Sequence, residues 1–344
     1  MSKIIVTPLN WGLGHASRCV PIINHLIENR FVPVLASDGK ALEFLSKEFP
    51  DLETLQLPSY NISYGRNLKW NLFKKIGAIR KAIKKERRIL QKYLTDNPEV
   101  TGVISDNRFG MYAENIPSVY ITHQVKVLSG VFTPLTSYFH QKIIKRFDEC
   151  WVPDELNSKF SGNLSRSHKR LNKKHIGILS RFQKKEVEKT IDILIVLSGP
   201  EPNRSQLELK LKQIFRHSQQ NIWLIQGVVE SEQTMEELGN LRTINFMLSE
   251  ELERTMNSAN LIICRSGYSS IMDLIILNKK ALLIPTKNQS EQEYLAKFLR
   301  AQGFFDFVEE DNLNINLLKL PENKFNNDFI KKELDANLFN LFRE

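Results

Sequence analysis

Residues Leu261 to Leu299 constrain the fold more than any other stretch of the chain. They read LIICRSGYSSIMDLIILNKKALLIPTKNQSEQEYLAKFL. The apolar run Leu261 to Cys264 predicts a buried strand, and the small-residue turn Ser266-Gly267 follows it. Ile271, Leu274, Ile275 and Leu277 then recur at helical spacing. A second apolar run, Ala281 to Ile284, stops at Pro285, and a polar loop leads to a helix starting near Ser290. Strand, glycine turn, helix, strand, loop, helix is the order of a parallel α/β sheet. Both turns lead into helix N-termini, where backbone N–H groups without an intrahelical acceptor and the helix dipole favour an anion. Two such turns in succession suit a diphosphate.

The same alternation begins at the first residues. Lys3 to Thr7 reads as a strand, Leu9 to Gly14 as a turn, and His15 to Ile27 as a helix with Pro21 inside its pattern. Val32 to Ala36, Ala41 to Phe49 and Thr54 to Leu57 complete a βαβαβ series. Leu72, Ile76, Ile79, Ile83, Leu90 and Leu94 form one apolar stripe of a long helix. Gly102 to Ser105, Ser118 to Thr122, Glu149 to Pro153 and His175 to Arg181 read as further strands. The charged segment Gln183 to Thr190 marks a boundary, and a second series follows. In it Ile191 to Leu197, Asn221 to Gln226 and Thr243 to Phe246 read as strands, and Leu207 to Phe215 and Ser249 to Ser258 as helices. The expected organisation is a Rossmann-like domain over 1–182, a second over 183–325, and a C-terminal helix, 326–344, packing back on the first. Ligands of doubly wound sheets bind beyond the carboxyl ends of strands, so a cleft between two such halves is the expected binding place.

Composition narrows the class. Of 344 residues, 42% are hydrophobic and 25% charged, as in soluble globular proteins. No run approaches the roughly 18 apolar residues of a membrane span. The N-terminus MSKIIVTPLNWGLGH lacks the long apolar stretch of a signal peptide, and Cys19, Cys150 and Cys264 are few and far apart, which suits a reducing cytoplasm. The net charge of +9 is local: from Arg66 to Lys92 there are eleven Lys/Arg and one Glu, leaving the rest of the chain close to neutral. That helix, with Trp70, Phe73 and Tyr93, reads either as a solvated face or as one that meets an anionic membrane or acidic polymer. No base-reading module accompanies it, so no nucleic acid is expected.

Several polar groups follow predicted strands. Gly12-x-Gly14-His15 opens the first helix; its glycines allow close backbone approach, and His15 is either a general base or a helix-capping residue. Asp106-Asn107-Arg108 and His123-Gln124 suit either a polar acceptor or ordinary loop polarity. Ser198-Gly199-Pro200-Glu201-Pro202 suits a phosphate contact or a rigid turn. Asp273, about one turn into its helix after Ser269-Ser270, suits ribose hydroxyls or solvent. Glu291 and Gln292 open the next helix, where a first-turn capping role also suffices.

With GLGHASR in the first half, and CRSGYSSIMDL and PTKNQSEQEYLA in the second, the chain resembles bacterial glycosyltransferases of the GT-B fold, specifically glycosyltransferase family 28. The similarity runs from Asn10 to about Gly303 and is specific through the combination of second-half motifs. It implies two facing Rossmann-like α/β domains, the acceptor on the first and a UDP-sugar mainly on the second. Arg181 matches a basic residue reaching the donor nucleotide, Ser198 and Gly199 the phosphate loop, and Met247 a backbone reader of uracil. Ser269 and Ser270 match positions at the α-phosphate, and Glu291 and Gln292 the pair that contacts the donor sugar; Arg265, Ser266, Gly267 and Gln289 are further nucleotide-sugar-binding candidates. Asp273 stands where the family has a ribose-binding Glu, one methylene longer. Ser198-Gly199-Pro200-Glu201 departs from the usual glycine run, and Lys287-Asn288 replaces Pro-Gly.

On the acceptor side the candidates are Gly12, Gly14, Arg18, Arg108, His123 and Gln124; the resemblance matches His15 to the histidine of the family's first glycine loop, and it is the candidate base with Asp106 in reserve. The implied activity is an inverting, metal-independent transfer of a hexose or hexosamine to a glycan or lipid-linked envelope acceptor. The UDP-sugar is a co-substrate and no cofactor or metal is expected. Arg181, Ser198, Ser269-Ser270 and Lys287 would stabilise the leaving diphosphate. The implied location is cytoplasmic, peripheral on the inner face of the membrane through the 66–94 helix. A nucleotide-sugar hydrolase of the same fold and a non-catalytic sugar-binding subunit are the alternatives.

Overall fold

The computed structural model describes residues 1–60, 68–166, 171–314 and 334–343, with side chains described except in 68–76 and at 336. The expected start of the basic helix at Arg66, the side chains of Trp70, Leu72, Phe73 and Ile76, and residues 326–333 therefore lie outside the described set. The chain forms two compact units, one of 1–179 with 332–344 and one of 180–331.

Unit 1 begins with β1 (Lys3–Pro8), α1 (Gly14–Glu28), β2 (Val32–Ser37), α2 (Gly39–Glu48), β3 (Thr54–Gln56) and the long α3 (Leu68–Asp96). It continues with β4 (Val100–Asp106), β5 (Ser118–Ile121), α4 (Thr133–Ile144), β6 (Glu149–Val152) and β7 (Lys173–His175). The sheet order is β3-β2-β1-β4-β5-β6-β7, every pair parallel. Strands buried on both faces explain the unbroken apolar runs. Pro21 lies inside α1 without ending it.

The run HIGILSR is not a strand throughout. β7 ends at His175; Ile176 and Gly177 donate to the carbonyls of Val152 and Asp154, and Gly177 at φ 78° turns the chain away. Its apolar residues are buried without joining the ladder.

The C-terminal segment docks on unit 1 as a 3-10 helix, Ala336–Phe342. Phe339 and Phe342 meet the buried Trp151 ring edge-on at 5.9 and 6.3 Å. Gly102 makes room for it: a Cβ there would lie 2.1 Å from Phe342 Cδ1.

Unit 2 contains β8 (Ile191–Val196), α5 (Asn203–Phe215), β9 (Ile222–Ile225), β10 (Met235–Leu238), β11 (Leu241–Ile244) and α6 (Ser249–Ser258). It ends with β12 (Ala259–Cys264), α7 (Tyr268–Ile276), β13 (Ala281–Leu283), α8 (Ser290–Ala301) and β14 (Asp306–Phe307). Its order is β10-β11-β9-β8-β12-β13-β14, with only β10 antiparallel. Both sheets reverse their winding direction at the first strand, between β1 and β4 and between β8 and β12. These are the switch points where doubly wound sheets receive ligands.

Candidate active site

In unit 1, β1, β4 and β5 end side by side: Pro8 pairs with Asp106, and Asp106 with Ile121. Gly12, at φ 74°, supplies the left-handed turn that carries the chain from β1 into α1 at Gly14. One turn of α1 then presents His15 and Arg18 on one face, three residues apart.

Asp106 is fully buried at the tip of β4. Arg18 donates to both of its oxygens from Nε and Nη2. His15 Nδ1 lies 2.8 Å from Oδ1, and Asn107 Nδ2 donates to the same oxygen at 3.1 Å. Arg18 Nη1 reaches His123 Nδ1 at 3.1 Å, just beyond β5.

These contacts assign the ring protons. A guanidinium only donates, so His123 Nδ1 accepts and Nε2 is that ring's donor. His15 Nδ1 is also 2.9 Å from Arg18 Nη2, which asks for the opposite tautomer. Arg18 Nη2 already gives one N–H to Asp106, and an imidazole N–H facing a carboxylate is the stronger arrangement. On that ground His15 Nδ1 donates to Asp106 and Nε2 carries the ring's lone pair.

Burial alone would raise the Asp106 carboxyl, but the Arg18 charge and the His15 ring outweigh it and hold it well below the usual range. Its oxygens are engaged by Arg18, His15 and Asn107, so the carboxylate positions the His15 ring.

Arg108 is placed differently from expectation. It is wholly buried and donates to Glu86 at 2.7 Å, Asp38 at 2.6 Å and the Pro58 carbonyl at 2.6 Å. It ties α3 to the end of β2, and each of its three guanidinium nitrogens is engaged inside the fold. Glu86, the one acid of the basic segment, also accepts from Tyr60 Oη at 2.6 Å. Its place among Ile79, Ile83 and Leu90 at helical spacing is the signal that marks it as a buried anchor. Gln124 is half-buried beside the cluster, its N–H donating to Thr122 Oγ1 at 3.1 Å.

In unit 2, Ser198-Gly199 follows β8 and Ser266-Gly267 follows the adjacent β12, so both turns lie at the switch point. Gly199, at φ 103°, occupies a conformation that a side chain rarely adopts. Gly267 caps α7 with no side chain of its own, and Ser269 and Ser270 lie in that helix's first turn. A carbon added at either glycine would meet nothing within 4 Å.

The segment 180–181 joins two other candidates. Ser180 Oγ donates to Asp273 Oδ1 at 2.6 Å, and Arg181 Nη1 donates to Ser249 Oγ at 3.1 Å. Met247 lies two residues before that serine, in the loop entering α6. Arg181, Met247 and Asp273, far apart in sequence, are thus gathered around one connection.

Several motif residues of unit 2 are internal braces. Arg265 is buried and donates to Glu310 at 2.7 Å and to the carbonyls of Asn203 and Ile284 at 3.0 and 3.4 Å, so it braces the fold around the end of β12. Ser266 Oγ donates to the Gln292 carbonyl at 2.9 Å. The Gln292 side-chain oxygen accepts from Thr286 N–H at 2.9 Å, which shapes the 285–289 loop. Lys287 pairs with Asp311 at 2.5 Å in solvent, a contact worth little. Gln289 and Glu291 flank the start of α8, half-buried.

Comparison with known proteins bears on both units. Residues 194–326 match the glycosyltransferase family 28 C-terminal domain. UDP-N-acetylglucosamine--N-acetylmuramyl-(pentapeptide) pyrophosphoryl-undecaprenol N-acetylglucosamine transferase 1 of Bacillus thuringiensis is 32% identical over 82 residues, a match spanning 23% of this chain and 23% of that protein's length. The transferase of the same activity name from Clostridium botulinum is 25% identical across 94% of this chain and 91% of its own. The crystal structure of Acinetobacter baumannii MurG superposes with a TM-score of 0.51 at 14% identity, covering 92% of this chain and 88% of that one. Two parallel-sheet α/β units with these neighbours show the GT-B fold. Within that fold class the chain resembles glycosyltransferase family 28, and its second unit carries that family's C-terminal domain.

Proposed function

We propose that the protein transfers a sugar from a UDP-sugar to the hydroxyl of a glycan or lipid-linked acceptor, with inversion and without a metal. The observation that carries this is the buried Arg18–Asp106 pair holding His15 with Nε2 as base. Nε2 takes the acceptor hydroxyl proton, the oxygen bonds to the anomeric carbon, and the bond to the diphosphate breaks with its electron pair leaving on UDP. In unit 2, the α7 N-terminus and the Ser198-Gly199 turn receive the diphosphate, whose charge grows in the transition state. Arg181, Met247 and Asp273 hold the nucleoside. The relatives' names, which specify a UDP-N-acetylglucosamine donor and an undecaprenol-linked acceptor, favour a hexosamine and a lipid-linked acceptor. Among the described residues no helix is long and apolar enough to cross a membrane. We read the basic α3 as the element that meets an anionic surface bearing such an acceptor.

The test combines binding with turnover. UDP and UDP-N-acetylglucosamine should raise the melting temperature by mass action, and Asp273→Ala should weaken that shift. UDP release should require acceptor, survive EDTA and fall roughly 10²–10⁴-fold in His15→Ala without loss of donor binding. No shift with any uridine ligand breaks the donor assignment; equal UDP release with and without acceptor makes the protein a hydrolase.

A further inference from the structure

Asn107 stands at the tip of β4 with φ 62°, a left-handed conformation that few residues with a side chain adopt and that asparagine tolerates. Both ends of its half-buried amide are engaged inside unit 1. Nδ2 donates to Asp106 Oδ1 at 3.1 Å, and Oδ1 accepts from Tyr120 Oη at 2.9 Å. The charge on Asp106 fixes this orientation. An ionised carboxylate only accepts, so the amide nitrogen faces it and the amide oxygen is left for the Tyr120 hydroxyl. The reverse orientation would set the amide oxygen against the carboxylate.

Tyr120 comes from the other face of the sheet. Asp106 pairs with Ile121, so the neighbouring Tyr120 points to the opposite side, where it packs with Ile144, Phe147 and Cys150. It is fully buried, its ring centre lies 4.9 Å from that of Phe147, and its oxygen also lies 3.1 Å from His140 Nε2. Asn107 thus carries a hydrogen-bonded chain around the end of β4, from a buried tyrosine on the α4 side to the carboxylate that meets His15 on the α1 side. Asp106 Oδ1 has three donors: His15 Nδ1, Arg18 Nη2 and Asn107 Nδ2. Arg18 comes from the same helix as His15, so its bonds alone let carboxylate and imidazole tilt together. Asn107 and Tyr120 hold the carboxylate from the sheet.

We propose that Asn107 and Tyr120 are positioning residues of the sugar transfer: Tyr120 fixes the Asn107 amide, and Asn107 fixes Asp106 Oδ1, so that His15 Nε2 stays aimed at the acceptor hydroxyl. The assignment rests on the reading of His15 as the base and adds to it two residues that act through Asp106 without touching substrate.

The test compares Tyr120→Phe, which removes only the hydroxyl, with Asn107→Gly, which suits the left-handed backbone and removes the amide. The assay is UDP release from UDP-N-acetylglucosamine, with a bacterial lipid extract supplying the acceptor. Each change should lower kcat roughly tenfold or more, because a displaced base costs rate, while the donor KM, UDP-dependent melting and circular dichroism stay unchanged. The double variant should be no slower than Asn107→Gly, since Tyr120 acts only through the amide. In a His15→Ala background neither change should slow the residual rate further. Three results would overturn the proposal: an unchanged kcat in Tyr120→Phe, a double variant slowed by the product of the two single effects, or the same loss in the absence of His15. No acceptor-dependent release, or release that His15→Ala leaves intact, would instead remove the transfer reading and this assignment with it.

Discussion

The Arg18–Asp106 pair makes a demanding prediction, because both groups are buried and each is the other's main partner. In Asp106→Asn the Arg18 guanidinium keeps its place beneath the sheet edge but loses the opposing charge. In Arg18→Met the carboxylate keeps His15, Asn107 and the weak donor Cys19 Sγ. Breaking a buried ion pair from one side costs roughly 3–5 kcal/mol, since the survivor remains desolvated. Asparagine retains one acceptor oxygen, so Asp106→Asn belongs near the lower figure. The double variant leaves no uncompensated charge and should cost less than the sum of the singles, by about 2 kcal/mol or more.

Hydrogen exchange of the peptide covering β4 reads unit 1 alone, which avoids treating a two-unit chain as one transition. Additive single effects, or a cost under about 1 kcal/mol for either, would refute the mutual dependence of the pair. The pH dependence adds a second check. The Asp106 carboxyl is held below its ordinary value, so its contribution is complete above the unfolded value near 4 and is lost only as pH falls through the folded one. Across pH 5 to 8 the destabilisation in Asp106→Asn should therefore be constant. A base held by this pair also predicts that Arg18→Met loses UDP release along with its stability.

Burial pushes His140 down to about 4. The unfolded chain takes up its proton first as pH falls, so stability should decline between about 6.5 and 4, by roughly 3 kcal/mol in all, and His140→Gln should flatten that part of the urea-midpoint profile. Phe342→Ala should cost about 3–5 kcal/mol, as for other buried aromatics, and deprotect the Trp151 strand in exchange; no change in either would show that the C-terminal segment does not hold unit 1 together.

The strand and helix alternation was legible because apolar runs and 3.6-residue stripes report burial directly. Strands β1, β2, β8 and β12 are apolar on both faces, which only a sheet covered on both sides produces. Helix α4 was not legible for the same physical reason. Its inward face is Ser137, His140, Gln141 and Ile144, mostly polar, while Leu135, Tyr138 and Phe139 are exposed, so periodicity does not mark which side meets the core. The β10 strand, MEEL, is wholly exposed and joins the sheet only through its ladder with β11, a contact that apolar patterning does not record.

The candidate site divides along a similar line. Motif spacing located the carboxyl ends of β1, β4, β8 and β12, because glycine turns after strands have a geometric cause that sequence displays. It could not tell an arginine aimed at a ligand from one that braces the fold. Arg18, Arg108, Arg181 and Arg265 all follow strands or open helices in polar motifs. The difference lies in partners distant in sequence: Glu86 and Asp38 take up Arg108, and Glu310 with two carbonyls takes up Arg265. Arg18 is also buried, yet its acid is shared with His15, so its brace reaches a half-buried imidazole. A buried guanidinium needs several acceptors, and those come from whatever element packs against it. Long-range polar satisfaction, more than the motif itself, therefore separates the residues of this chain that can touch a substrate from those that hold the frame.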